Sequence, residues 1–542
     1  MPPLETTRAQ TVVEDEPNAL HALSPDDASW SSINLAEAVP GVMTPLCASA
    51  WVPASEIGLR MPFHAMGVLA GNRRQIPADP AERITNAFYG RMAVRVDFLC
   101  EIGDLIPGQS GEALSRDFFG FVPPTFVSRP SNRRLPFIVW RYPRTLLRAA
   151  RDMERLRAET NVWWAAAIVT TPRLTIAQAQ RRIGEGMDRF AQALGQQAVM
   201  AAGAIQPVFE QLSAIAVMAG VDASVLLRGH GEHEESVVLA DMWDVSRNRL
   251  PLHEFLARHG YHGPGEGELS ATAWREDATP VVRLVEQYRA MVDAKAPSAA
   301  DAVHAAARDE AEARLLASTG LAGRIKARLI LRLARRFVPL RGVGKVAYLQ
   351  SIDVIRAAAR HIGAQLVAQD RLDDADDTFY LTRDELTGDL TADLRSLVAD
   401  RRELRLRYQA YDVASSWTGR PVATLREGVD TTGVTSLLGV GASTGTVVGR
   451  AVVVLDPGEA EIEDGDILIA RTTDPAWVSL MFLSRALVVD IGGMMSHAAV
   501  VARELAIPCV MNTGNGTQVV RTGDTIRVDG STGNVEILER AS

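Results

Sequence analysis

Through most of the chain the apolar positions return at three- and four-residue spacings, the repeat of a helix that buries one face. Residues 141–230 and 281–370 read in this way as long amphipathic helices rich in alanine, leucine and arginine, as in the run from Leu329 to Val338. The segment Asp373 to Leu386 interrupts the pattern with an acidic turn and a predicted short aromatic strand; another arginine-rich helix is predicted near 390–412. Residues 415–433, SSWTGRPVATLREGVDTTG, carry the Thr, Ser and Gly content of a linker. Beyond Gly439 the texture changes to short β-branched runs between glycine turns: VVGRAVVVL, DILIAR, ALVVDIGG, CVMN, DTIRVDG and NVEIL. Such runs predict a compact α/β unit. The expected organisation is multidomain: a disordered leader at 1–29, a mainly α-helical region at 30–414, the linker at 415–433 and a compact α/β domain at 434–542.

Composition narrows the classes of function. With 542 residues, 47% hydrophobic and 23% charged, the chain has material for several packed domains. The net charge of -9 gives no broad basic surface, which argues against nucleic acid or an anionic membrane as the main partner. Cys47, Cys100 and Cys509 stand far apart, without the spacing of a disulfide framework or a zinc ribbon. The acidic first thirty residues have no apolar signal core, and the most apolar window, Val162 to Thr171, is half the roughly 20 residues a membrane span needs. A cytoplasmic location is the expectation. Lysine occurs only at 295, 326 and 345 among 57 basic residues.

The sharpest chemical signal is Asp490 to Glu504, DIGGMMSHAAVVARE. A buried-looking strand runs into the turn Gly492-Gly493, and Ser496 then opens a helix that must stop before Pro508. His497 falls in the first helical turn, where backbone N–H groups and the helix dipole favour a phosphate on or near the imidazole. A neutral imidazole is a competent phosphoryl nucleophile near neutral pH. The plain alternative is a histidine that caps a helix or packs in a core. A second signal is the polar, glycine-rich turn Gly260 to Leu269, with His262, Glu266 and Glu268 inside a helical region. It could present a general base to an acceptor hydroxyl, or it is a solvated turn with helix-capping carboxylates.

Four ordered runs, GASTGTVVGRAVVV, GDILIARTTDPAWVSLM, VVDIGGMMSHAAVVARELAIPCV and GDTIRVDGSTGNVEI, resemble the swivelling phosphohistidine domain of phosphoenolpyruvate-utilising enzymes. That group includes phosphoenolpyruvate synthase, pyruvate phosphate dikinase, rifampicin phosphotransferase and phenylphosphate synthase. The resemblance implies a phosphorylated histidine at His497, with Gly492, Gly493, Ser496, Arg503 and Glu504 as its neighbours and Asp474-Pro475 with Trp477 as a loop beside it. Thr444 and Met495 depart from the usual Pro and Thr. Upstream, Asn34 to Trp51, Tyr89-Gly90-Arg91, His259 to Trp274 and DDTFYLTRDEL resemble the helical substrate-binding region of rifampicin phosphotransferases. This implies catalytic duties for His262, Glu266 and Glu268 and substrate binding by Arg341 and Lys345, although His262 and Ala273 stand where relatives carry arginine and Gly342 where they carry glutamate.

No Walker-type motif occurs in the sequence, and the expectation is that no ATP-grasp domain precedes residue 30 and no phosphoenolpyruvate barrel follows Ser542. The resemblance then implies a two-component phosphotransferase. ATP and Mg2+ are bound by a separate ATP-grasp subunit, which phosphorylates His497. The group passes to a small hydroxylated acceptor, a phenol by likeness to phenylphosphate synthase. A split antibiotic phosphotransferase and a non-catalytic scaffold are the alternatives. No metal site is expected in this chain.

Overall fold

The computed structural model describes residues 11–541 apart from positions 15, 34, 37, 40, 223–224, 227–233, 294–295, 391, 427–432, 458–459, 461, 474–476 and 493–495. The helical region is organised round one helix buried along nearly its whole length, Val343–Ala368. Four helices matter most for the site: α1 (Pro45–Ala65), α2 (Leu135–Thr170), α3 (Ile176–Met200) and the central helix itself. Their apolar faces meet in one core through Trp51, Met153, Trp164, Ile183, Phe190, Ile352 and Ile355. A capping box fixes the start of α3: Thr175 accepts from the Gln178 N–H, and the Gln178 side chain accepts from the Thr175 N–H. Three further helices, α4 (Glu234–Ser246), α5 (Leu252–His259) and α6 (Thr279–Ala290), precede the central helix, α7.

Helix α3 continues through a π-helical turn, Ala201–Ile205, into Gln206–Met218. By length and apolar content Ile176–Met218 could cross a membrane, a longer stretch than the sequence pattern indicates. Here Ile183, Phe190 and Met200 of this run lie in the shared core.

Three expectations are corrected. The leader is packed from residue 11 onward: β1 (Thr11–Val12) pairs with a strand near residue 424, Leu20 is fully buried, and β2 (Ser29–Ser31) joins a four-stranded sheet. That sheet also holds β3 (Thr85–Phe88), β4 (Arg91–Arg95) and β6 (Ser416–Thr418). The proposed linker is likewise structured up to Arg426, because β6 pairs with β2, and β7 (Ala423–Leu425) lies between β1 and β5 (Tyr411–Val413). Polar composition concealed both segments since each is held by a partner some four hundred residues away. The rest of the linker, 427–432, lies outside the described residues. Finally, Asp373 to Leu386 forms no strand. Asp374 with Asp377 caps the 3-10 helix Ala375–Tyr380, and Thr382 with Glu385 caps Arg383–Thr387, two reciprocal capping boxes in succession.

The C-terminal domain is a single eight-stranded sheet, ordered β8-β15-β14-β10-β11-β12-β13-β9. Its strands are β8 (Ser436–Leu438), β9 (Val440–Ser443), β10 (Thr446–Val454), β11 (Ile467–Ala470), β12 (Ala486–Val489), β13 (Cys509–Met511), β14 (Thr525–Asp529) and β15 (Asn534–Glu539). The two edge strands come from one continuous segment, β8 and β9 on either side of Gly439, whose N–H donates to the Gly533 carbonyl. Alternation along the strands builds two cores. Ile467, Ile469, Ala486 and Val488 point to the inside with Ile526 and Val528, whereas Leu468, Ala470, Leu487 and Val489 point out against helices. That outer layer is shared with Trp243, Phe255 and Tyr288 of α4, α5 and α6. Gln287 donates to the Ile462 carbonyl at 3.0 Å across the same seam.

Candidate active site

Strands β10 to β13 run parallel. In such sheets reactive groups gather beyond the C-terminal strand ends. From the end of β12 the chain passes Asp490 and Gly492 to the helix α9 (His497–Glu504). Ser496 is its N-cap in extended conformation, and its Oγ accepts from the Ala499 N–H at 3.2 Å. His497 is therefore the first residue of the helix, at its positive end; its side chain, with Gly493 and Asp474-Pro475, lies outside the described residues. A Cβ on Gly492 would stand 2.1 Å from the Met511 methyl, so a larger residue beneath the helix start requires that flexible side chain to move. Arg503 donates from Nε to the Ala442 carbonyl at 2.8 Å and so ties α9 to β9. The buried Asp490 carboxylate accepts from Thr513 Oγ1 at 2.7 Å and from the Thr517 N–H at 3.1 Å, clamping the ends of β12 and β13. Sequence reading passed over this clamp, because the two threonines sit in an unremarkable polar turn.

The glycine-rich turn of the helical region is folded back on itself: the Trp274 N–H donates to the His262 carbonyl and the Arg275 N–H to the Gly260 carbonyl. Gly265 has φ +63, and a Cβ on Gly267 would stand 1.9 Å from the Ala38 carbonyl oxygen. His262 and Glu266 are both buried, with Nδ1 2.7 Å from Oε2. Lys345 Nζ lies 3.8 Å from Glu266 Oε1, and that oxygen is buried without a hydrogen-bond partner. His262 and Lys345 open on a narrow cleft walled by Val238 of α4, Val346 and Leu349 of α7, and Val478 of α8 (Val478–Leu483). Val478 belongs to the C-terminal domain, so the two parts of the chain meet at this cleft.

Glu268 is directed elsewhere. Its carboxylate accepts from Thr44 N–H at 3.1 Å, Thr44 Oγ1 at 2.6 Å and Ser270 N–H at 3.1 Å, which joins the turn to the start of α1. Arg341 is placed at the entry to α7, where its carbonyl accepts from Gln197 Nε2 at 2.6 Å. The groups that hold the turn are α7 residues the sequence reading missed. Arg356, 1% exposed, donates to the carbonyls of Leu269 and Glu268, and Arg360 donates to that of Ser270 and to Glu276. Asp353 binds Arg275 and accepts from Trp164 Nε1 at 2.8 Å. Polar residues at three- and four-residue steps on an otherwise apolar helix were the available signal. Burial pushes the His259 imidazole down to about 4, against the opposing effect of its hydrogen bond to the Asp241 carboxylate. The three cysteines are free and buried, and burial raises the Cys509 thiol to about 12, which leaves it unreactive.

Residues 462–533 match the mobile domain of PEP-utilising enzymes, and residues 195–342 match the fourth domain of rifampicin phosphotransferase. Two parts of the chain are thus similar to domains found in PEP-utilising enzymes. An uncharacterized protein of Mycobacterium tuberculosis is 32% identical over 289 residues, covering 52% of this chain and 31% of that one. A rifampicin phosphotransferase of Streptomyces sp is 37% identical over 220 residues, 39% of this chain and 25% of the relative. A probable phosphoenolpyruvate synthase of Staphylothermus marinus is 48% identical over 100 residues, 18% of this chain and 12% of the relative. The chain thus spans about a third or less of the length of these curated relatives.

Proposed function

We propose that this chain carries a phosphoryl group on His497 and delivers it to a small hydroxylated, aromatic acceptor at the His262–Glu266–Lys345 cluster. The observation that carries the reading is the shared cleft: Val478, from the domain that bears His497, walls the opening on which His262 and Lys345 lie. In this reading the domain swivels between that docked position and a separate ATP-grasp subunit, which binds ATP and Mg2+ and phosphorylates His497. With His262 Nδ1–H donated to Glu266, the Nε2 lone pair is the base. It takes the acceptor's hydroxyl proton as the oxygen attacks phosphorus; the new O–P bond forms as the P–N bond to His497 breaks, and the electron pair returns to the imidazole. Lys345 offsets the charge of Glu266 and lies beside the incoming phosphoryl oxygens.

Rifampicin-like acceptors are the second reading, supported by the names of the relatives. The cleft measures about 20 Å³ and Glu234 also lines it, so in this reading it widens as the domain swivels, and a phenol asks for less widening than a macrocycle. A non-catalytic scaffold has no use for a buried carboxylate oxygen that is left without a hydrogen bond 3.8 Å from a lysine ammonium. A reducing cytoplasm suits the free, buried thiols.

The test uses radiolabelled ATP, an ATP-grasp partner and phenol. Wild-type protein gains acid-labile label and His497→Ala gains none. His262→Ala and Glu266→Gln are labelled normally but discharge label to phenol more slowly, by about a hundred- to ten-thousand-fold in a single-turnover chase. Label on the His497→Ala protein overturns the carrier role; wild-type chase rates in both other variants overturn the acceptor site.

A further inference from the structure

We propose that the protein has a second small-molecule site, for an amphipathic carboxylate, in a cavity between α1, α2 and α3 that is separate from the His262 cleft. The cavity has a volume of about 380 Å³, within the range of about 300–1,000 Å³ usual for organic ligands. Its inner wall is apolar and adaptable: Met61, Met153 and Met200, the last two almost fully buried, present three thioether side chains. Its outer wall is cationic. Arg141, Arg144 and Arg148 stand at successive turns of one face of α2 and all line the cavity. Asp152 is the one carboxylate among the lining residues, and it is already 3.5 Å from Arg155.

Two further observations mark this as a built site. Gln196, on α3, lines the cavity, and its Oε1 is buried with no hydrogen-bond partner, a cost that a hydrogen-bonding ligand or a bound water relieves. The regular helix ladder is also interrupted in all three walls at this level. Pro62 lies inside α1 beside Met61, Pro143 lies inside α2 between the arginines, and α3 passes into the π turn directly after Met200. Each interruption gives up i to i−4 bonds that an uninterrupted helix keeps. Tyr142 Oη donates to the Gly203 carbonyl at 2.9 Å, fastening the π turn to the arginine-bearing segment. At the mouth, Trp140 is 60% exposed, with the Arg144 guanidinium 4.6 Å from its ring centre. An apolar tail against the methionines with a carboxylate forked by guanidinium groups satisfies every wall of this cavity. The proposal does not rest on the phosphotransfer reading.

Calorimetric titration of the whole chain with decanoate, with decanol as the uncharged probe, tests it. The expected result is saturable one-to-one binding of decanoate, weakened by salt, and decanol binding at least about tenfold weaker. Arg144→Gln and Arg148→Gln, both at exposed positions, each weaken decanoate binding about tenfold while the melting temperature stays unchanged. No saturable heat with decanoate, equal binding of decanol, or wild-type affinity in both arginine variants overturns the site.

Discussion

Two glutamates, separated by one residue, have different duties. Glu266 is buried against His262 and Lys345, whereas Glu268 binds Thr44 at the head of α1. Composition and glycine content mark the turn as unusual, but they assign both carboxylates the same role, since Thr44 is more than two hundred residues away. Hydrogen bonds to a charged acceptor are worth about 1.5–3 kcal/mol each when buried, and Glu268 is half-exposed, so Glu268→Ala is expected to cost about 2 kcal/mol of stability. Chemical denaturation checks the cost. The chase rate of pre-labelled Glu268→Ala protein should fall far less than that of Glu266→Gln, which separates clamp from chemistry.

Among elements, those with strong local periodicity were legible. The six β-branched runs after Gly439 correspond to β10 to β15, and the expected helix start at Ser496 matches α9. Elements that depend on a distant partner were not, including β1, β2, β6 and β7, whose residues look polar and loop-like. Two such dependencies carry a pH signature. His21, in the packed leader, and His259, at the end of α5, are both held at about 4 by burial, below the ordinary 6.5. Unfolding frees each to bind a proton, so the unfolded state holds more protons between those values. Stability is therefore fully present above pH 6.5 and lost as pH falls through that window. Melting temperatures measured from pH 7.5 to 4.5 should decline, and His259→Asn should flatten the decline by an amount near 3 kcal/mol, the span of its shift. An equal slope in wild type and variant would remove His259 as a contributor.

At the scale of the molecule, the C-terminal sheet has its own inner core yet shares its outer apolar layer with α4, α5 and α6. The chain between the two parts, residues 427–432, follows directly on the last strand of the helical body. Its Thr and Gly content makes it the expected site of limited proteolysis. Mass spectrometry should show a first cut there and a resistant fragment beginning near residue 433. The nicked halves should co-elute at low salt, held by the Trp243, Phe255 and Tyr288 layer. First cuts inside α2 or α7 would contradict separate folding of the two parts.

Sequence by itself determined the change from helical to β periodicity, the helix that opens at Ser496 and begins with His497, and the presence of a histidine and two carboxylates on one glycine-rich loop. These are local properties, written in spacings of a few residues, and they survive without knowledge of neighbours. Tertiary structure alone decided that Glu266, not Glu268, joins His262 and Lys345, that Arg356 and Arg360 hold the loop in place, and that Val478 reaches the same cleft. Each of these contacts, the short-range Glu266–His262 pair apart, spans tens to hundreds of residues. The direction of a side chain across such a span is set by how the buried faces of whole helices and sheets pack, a constraint that no local pattern encodes.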